Sequence, residues 1–157
     1  MRRWRGLAGL AASIGLLAGC QPAGNGPPPL RFGQEACAQC RMIISDERFA
    51  AALTTEVGDT AKFDDVGCLV EHEAGGLQAS TAYWVRDFKA DAWLNARDAS
   101  FVRSDKISSP MGFGLAAMRP PPGGGEPGGG PATRTFRLDE LPGLISSGRD
   151  DSPTDTK

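Results

Sequence analysis

The stretch Phe49–Val70, FAAALTTEVGDTAKFDDVGCLV, contains the signals for two strands, the turn between them and the start of a helix. Apolar side chains at every second position from Phe49 to Leu53 predict a half-buried strand. The Gly-Asp pair at 58–59 is typical of a turn, and residues 60–63 form a short return strand. We therefore predict a β-hairpin over residues 48–63.

A helix is predicted directly after this hairpin. Asp64 or Asp65 supplies its N-cap, and the glycine pair at 75–76 ends it. Its apolar stripe is formed by Val66, Leu69 and Val70. At 100° per residue, Cys68 and His72 lie off this stripe and one turn apart, so we expect both side chains away from the core face.

The rest of the chain predicts further short elements. Thr81–Phe88 is rich in aromatic and β-branched residues, which indicates a strand. The other expected elements are a turn or single helical turn at 91–99, a strand at 100–103, a loop at 108–114, an edge strand at 133–138 and a helical turn at 139–146. Hairpins combined with a few short helices predict an α+β fold of small, mainly antiparallel sheets.

The first twenty residues have the pattern of a lipoprotein export signal. Three arginines precede an apolar run at 7–17, which is too short to span a bilayer. The run ends in Leu-Ala-Gly-Cys at 17–20, which resembles a bacterial lipobox. We predict a signal peptide at 1–19, a diacylglycerol anchor on Cys20, and a cell-envelope lipoprotein that faces the periplasm from the outer membrane. An ordinary secretory signal or an uncleaved anchor is the alternative.

Composition divides the remaining chain into segments. Proline and glycine in 20–33 predict a flexible tether, and a second Pro/Gly-rich run predicts a loop at 119–131. Between them we expect a metal-binding core at 34–118. A C-terminal strand and helix at 132–147 and a disordered polar tail at 148–157 complete the predicted organisation.

Charge and residue content exclude several classes of function. Cleavage before Cys20 removes three arginines and no acid, so 14 basic residues remain against 19 acidic ones, a formal charge of −5. Nucleic-acid binding needs clustered Lys and Arg, so we expect none. The chain has a single histidine and no serine in a nucleophile-elbow context, so it offers little room for an acid–base triad and we expect no enzyme.

The candidate metal site is the motif Cys37-Ala38-Gln39-Cys40-Arg41-Met42. Two thiols at this spacing can converge on one metal ion or oxidise to a disulfide. Thiolates select Cu(I), zinc or iron–sulfur clusters, and the thioether of Met42 favours Cu(I). Met111 lies in a Pro-Met-Gly loop that is suited to presenting a second thioether, although it is equally typical of a buried methionine that fills a gap. Once Cys20 carries lipid, three cysteines remain, so at least one is unpaired.

Two other interpretations of these cysteines stay open. Cys37 and Cys40, together with Cys68 and His72, form a Cys3His set that could bind Zn(II) as a structural ion. Alternatively, the C-x-x-C motif could serve a thiol–disulfide oxidoreductase, although the chain lacks the βαβ context of thioredoxin-like proteins.

Four motifs occur in order along the chain: Cys37-x-x-Cys40-x-Met42, residues 63–68 (FDDVGC), residues 83–87 (YWVRD) and residues 110–112 (PMG). Together they resemble the NosL family of lipoprotein copper chaperones, which are linked to maturation of nitrous oxide reductase. The resemblance implies two small ββαβ-type units and Cu(I) held by cysteine and methionine sulfur. It also implies delivery of copper to an envelope copper enzyme, nitrous oxide reductase, with a copper transporter as a further partner.

Carried over by position, the resemblance implies that Cys40, Met42 and Met111 are ligands. It implies that Cys37 is the extra upstream cysteine that some members carry. Arg41 departs from the family pattern, which has glycine there. Because a side chain removes easy access to positive φ, we expect the local backbone, and with it the ligand geometry, to be affected.

Overall fold

The computed structural model describes residues 26–79, 81–120 and 134–147 and contains two small antiparallel sheets. The first sheet has the spatial order β2-β1-β3-β4 and consists of β1 (Ala51–Thr54), β2 (Thr60–Phe63), β3 (Ala82–Arg86) and β4 (Trp93–Asn95). The second has the order β6-β5-β7 and consists of β5 (Ser100–Arg103), β6 (Leu115–Met118) and β7 (Thr135–Phe136). With its short helices, this architecture confirms the predicted α+β class.

The predicted hairpin is confirmed by the pairing of β1 with β2. Ala51 lies opposite Phe63 and Thr54 opposite Thr60, so the turn falls at the expected glycine and aspartate. β3 pairs with the other edge of β1 and brings Val85 opposite Ala51. The helix between β2 and β3, α1 (Val66–His72), completes a β-β-α-β unit. The predicted strands at 81–88 and 100–103 are also confirmed.

Residues 91–99, which we expected to form a turn or one helical turn, contain the strand β4 instead. Trp93 lies opposite Arg86, and Leu94 lies opposite Val85. The composition of this segment gives little strand signal, but the free edge of β3 supplies backbone partners, and such tertiary pairing overrides local propensity.

Helix α1 begins where it was predicted, but the expectation for Cys68 was wrong. Asp65 is the N-cap, and its side chain accepts from the backbone N–H of Gly67. Cys68, expected off the core face, is only 1% exposed. The reason is that α1 contacts β1 and β2 of the first sheet as well as β6 and a second helix, α2 (Leu141–Ser147). A helix that is packed by several elements buries more than one stripe of side chains. His72, at the end of α1, is exposed as expected.

The second sheet and α2 pack on the side of α1 that the first sheet leaves free. In the described residues the chain order there is β5, β6, β7 and then α2, which follows a 3₁₀ turn at Leu138–Glu140. This order differs from the ββαβ order that the family resemblance implies for a second unit. The two sheets share one apolar core, whose large, fully buried side chains include Phe63, Leu69, Tyr83, Phe101 and Leu115.

The segment before the core packs on the domain where the structure describes it. Pro28 is buried, and Gly33 donates its N–H to the carbonyl of Ile44 over 2.8 Å. The predicted signal peptide, the lipidation site Cys20, most of the loop at 119–131 and the tail at 148–157 lie outside the described residues. Among the residues described, there is no helix of the length and apolarity that a bilayer-spanning segment needs.

Candidate metal centre

The loop between Cys37 and Met42, here called the thiol loop, is closed by backbone hydrogen bonds. Cys37 donates its N–H to the carbonyl of Met42 over 2.8 Å, and a bridge pairs Ala36 with Ile43 just outside it. The N–H of Ala38 donates to the carbonyl of Lys62 over 2.8 Å, which fastens the loop to the edge strand β2. The loop is therefore held at the end of the hairpin where α1 begins.

Arg41 retains the backbone conformation that its side chain was expected to disfavour. Its φ is +67°, the only positive value at a non-glycine residue in the described part of the chain. Its N–H donates to the carbonyl of Cys37 over 3.1 Å and so tightens the turn between the two cysteines. An arginine therefore occupies a left-handed position that glycine adopts without a steric cost, and the loop carries that strain.

Three thiols converge at the junction of the thiol loop and α1. The sulfur atoms of Cys37, Cys40 and Cys68 all lie within 4.8 Å of one another, and none is in a disulfide. Cys37 is fully buried and Cys68 nearly so, whereas Cys40 is half-buried on the side towards solvent. We call these three side chains the thiol cluster. Sulfur atoms at this spacing can close around a single soft metal ion with small side-chain movements.

The surroundings of the thiol cluster distinguish one cysteine from the other two. Burial acts to raise the pKa of Cys37, but hydrogen bonds to its sulfur outweigh burial and hold the pKa below its ordinary value. The donors are the backbone N–H groups of Asp64, Cys40 and Gln39 and the Cys40 thiol. Burial raises the pKa of Cys40, and burial together with the two neighbouring thiols raises that of Cys68. Cys37 is therefore the thiol of the cluster that ionises most readily, and ionisation of Cys40 and Cys68 is disfavoured unless a cation is present.

The two candidate methionines lie on a separate surface. Met42 is 60% exposed and Met111 is 41% exposed, and both line an open cleft of about 420 Å³ beside the thiol loop. Asp64 also lines this cleft, while no cysteine is among the described residues that line it. The structure thus places Met42 and Met111 in one cleft. The three cysteines form a separate group, which the thiol loop joins to this cleft.

His72 is placed outside the thiol cluster. Its ring packs on Phe63 with a centroid distance of 5.1 Å, and among the described residues the group close enough to share an ion consists of the three cysteines. The fold therefore assembles three side chains of the predicted Cys3His set and leaves the fourth on the surface. Sequence reasoning did not identify the role of the backbone at Asp64, whose N–H points to the sulfur of Cys37. The only sequence signal at this position was the aspartate pair at 64–65.

Comparison with known families agrees with this architecture. The family model described as NosL matches residues 31–120, which include the thiol cluster, the first sheet and the loop that carries Met111. The chain belongs to the NosL family. A comparison with curated proteins finds no similar sequence. NosL proteins form a copper-binding family of the chaperone type, and the thiol cluster fits a metal-binding protein of this kind.

Proposed function

We propose that this NosL protein is a lipid-anchored carrier that holds one Cu(I) on Cys37, Cys40 and Cys68 and passes it to an envelope copper enzyme. The observation that carries the proposal is the convergence of the three sulfur atoms within 4.8 Å. Thiolates are the ligands that Cu(I) prefers, and three of them satisfy the low coordination number of this ion without any redox step.

The burial of the cluster supports a carrier that is tight but exchangeable. Cys37, whose pKa is lowered by the backbone N–H groups around it, supplies the first thiolate. Cys68 closes the site from α1, where apolar packing excludes water. Cys40 is the half-buried thiol, so an incoming ligand of an acceptor protein meets the ion on this side. Sequential replacement of sulfur ligands then moves the ion without releasing it into water.

The exposed methionines extend this exchange route. Met42 ends the thiol loop, and Met111 lines the same cleft as Met42. Thioethers are neutral, soft ligands that bind Cu(I) more weakly than thiolates. In this proposal they hold the ion transiently between the thiol cluster and the acceptor.

The place of the carrier in the cell follows from the N-terminal pattern. A lipid on Cys20 would keep the protein at the envelope membrane, facing the periplasm, and a tether of several residues would let it reach membrane and soluble partners. The partners we propose are nitrous oxide reductase as the copper acceptor and a copper transporter as the donor. Copper delivery assigns the protein no enzymatic step.

A structural Zn(II) site is the second candidate, and the same cluster favours it. Zinc also takes cysteine ligands, and a buried position suits a structural ion. Such a site takes four protein ligands, however, and His72 lies outside the cluster. A three-thiol site with one solvent-facing side suits a transferred ion better.

The proposal is tested by titrating the reduced, detergent-purified protein with Cu(I) against a chromophoric chelator. We expect one tightly bound ion. Replacement of Cys37, Cys40 or Cys68 by serine should weaken binding by at least roughly 10- to 100-fold, the loss that even an outer-shell change causes at a metal site.

The control is Met118→Leu, which removes a sulfur atom from the second sheet, away from the cluster, and should leave the affinity unchanged. Unchanged affinity in Cys68→Ser, combined with lost affinity in Met42→Leu/Met111→Leu, would place the ion in the cleft and contradict the trithiolate assignment.

A further inference from the structure

Asp65 makes more hydrogen bonds than an N-cap needs. Its carboxylate is fully buried, and one oxygen, Oδ1, accepts from the backbone N–H of Gly67 over 2.9 Å, as a cap does. The other oxygen, Oδ2, accepts from the backbone N–H of Met111 over 3.2 Å, across 46 positions of the chain. The hydroxyl of Ser109 also donates to this carboxylate. One side chain therefore joins the first turn of α1 to the loop that presents Met111.

The same loop, residues 108–114, is fixed internally through Ser109. This serine is buried, and its Oγ accepts from the N–H of Gly114 over 3.1 Å. Its carbonyl accepts from the N–H of Gly112 over 3.0 Å. Ser109 is hydrogen-bonded both to Asp65 and to the loop backbone, so Asp65 helps to hold the loop in position on α1.

Gly67 provides a second, independent contact between the loop and the helix. A Cβ atom at this position would lie 2.2 Å from ring carbons of Phe113. The ring therefore packs directly on the backbone of the first turn, at an approach that only glycine permits. Gly67 precedes Cys68, so the turn that receives the loop is also the turn that supplies a thiol to the cluster.

We propose that Asp65 and Gly67 are positioning residues that dock the loop on α1 and so hold Met111 in the open cleft beside the thiol loop, where it serves copper exchange. This inference rests on the proposed function and adds a requirement to it: the exchange rate depends on two residues that do not touch the ion. An asparagine at position 65 cannot serve equally, because its amide has one acceptor oxygen where the carboxylate uses two. An alanine at position 67 displaces Phe113 and with it the loop.

The test measures how fast Cu(I) leaves the full, detergent-purified protein for the chelator bathocuproine disulfonate, together with equilibrium affinity and thermal unfolding. The variants are Asp65→Asn, Gly67→Ala and Met111→Leu, each alone and each of the first two combined with the third. The milder Ser109→Ala removes one donor to Asp65 and serves if a stronger variant fails to fold. Matched controls are Asp59→Asn, in the exposed β1–β2 turn, and Gly143→Ala, in α2 where a Cβ has open space.

We expect Asp65→Asn to slow transfer by about tenfold, the effect of losing one hydrogen bond to a charged group. Gly67→Ala should slow it by a similar factor, because the added Cβ displaces Phe113 and with it the loop. Both variants should match Met111→Leu and add nothing when combined with it, since all three remove the same contact. Both controls should transfer at the wild-type rate. A general loss of stability would not produce this non-additivity.

The inference is overturned if Asp65→Asn and Ser109→Ala both transfer Cu(I) at the wild-type rate. It is also overturned if the slowing in Asp65→Asn or Gly67→Ala adds fully to that of Met111→Leu. In either case, tight binding by the wild type would leave the carrier function standing. Failure of the wild-type protein to bind Cu(I) would remove the carrier function and the inference together.

Discussion

The backbone of Arg41 is strained in the conformation that the thiol loop requires. Its φ of +67° lies in the left-handed region, where a side chain costs roughly 1–2 kcal/mol. The strain persists because the loop is closed on both sides, by the bond from Cys37 to Met42 and by the bond from Arg41 back to Cys37. The turn lies between Cys37 and Met42, so these hydrogen bonds hold the candidate metal-binding loop in one conformation even without glycine.

Replacing Arg41 by glycine should therefore stabilise the metal-free protein. Relief of strain is partly offset by the larger conformational entropy of glycine in the unfolded chain, about 0.4–1 kcal/mol, so we expect a net gain of up to about 1.5 kcal/mol. Urea denaturation followed by circular dichroism measures it. Arg41→Ala is the control, because it removes the side chain and keeps the strain. An equal gain in both variants would show that the guanidinium, and not the backbone, is the cause.

At the scale of elements, the attachment of the thiol loop to β2 depends on an ion pair as well as on the backbone. Glu35, just before the loop, pairs with Lys62, and both side chains are about four-fifths buried. The hydrogen bond from Lys62 is the main cause that holds the pKa of Glu35 below its usual value, and the backbone N–H of Arg31 adds to it. The native state therefore binds the Glu35 proton more weakly than the unfolded state does.

The sign of the pH dependence follows from this lowered pKa. The stabilisation by Glu35 is fully present above the ordinary pKa of a glutamate and is lost as pH falls through the lower native pKa. Glu35→Gln should thus cost up to about 1 kcal/mol near neutral pH, the range of a partly exposed pair, and nothing in strong acid. Urea denaturation across pH tests this, with Glu56→Gln in the β1–β2 turn as control. A cost independent of pH would assign the effect to packing.

The elements also show what local sequence can and cannot predict. Alternating apolar residues, turn residues and helix caps are signals that lie within a few neighbouring positions. They predicted the hairpin, the start of α1 and the strands β3 and β5. β4 was missed because it exists through pairing with β3. The burial of Cys68 was missed because a helical wheel assumes one buried face, whereas α1 is packed by both sheets and by α2.

The candidate site divides in the same way. The C-x-x-C spacing placed Cys37 and Cys40 together, since both lie in one short loop. Cys68 was linked to His72 by helical spacing, but the fold turns one towards the cluster and the other to the surface. Tertiary packing decides whether Cys68 or His72 contacts the thiol loop. The sequence of the helix alone does not contain that information.

For the whole molecule, the question is whether the metal is needed for folding. The thiol cluster lies beside a core that both sheets share, with Phe63, Tyr83 and Phe101 fully buried in it. These large side chains contribute burial free energy with or without an ion, since each is worth roughly 1.5–3 kcal/mol. The fold therefore has its own source of stability, unlike a small domain whose folding energy is that of a structural zinc.

We therefore expect the protein to keep its circular dichroism spectrum and cooperative unfolding after complete removal of metal with a chelator. Addition of Cu(I) should then raise the melting temperature by mass action, about 2.7 kcal/mol of stabilisation at a free concentration 100 times the dissociation constant. Cys68→Ser should unfold cooperatively too, but with little response to Cu(I). A metal-free protein that loses its structure, and regains it with Zn(II), would mean that the thiol cluster holds a structural ion, because a transferred ion must leave behind a folded carrier.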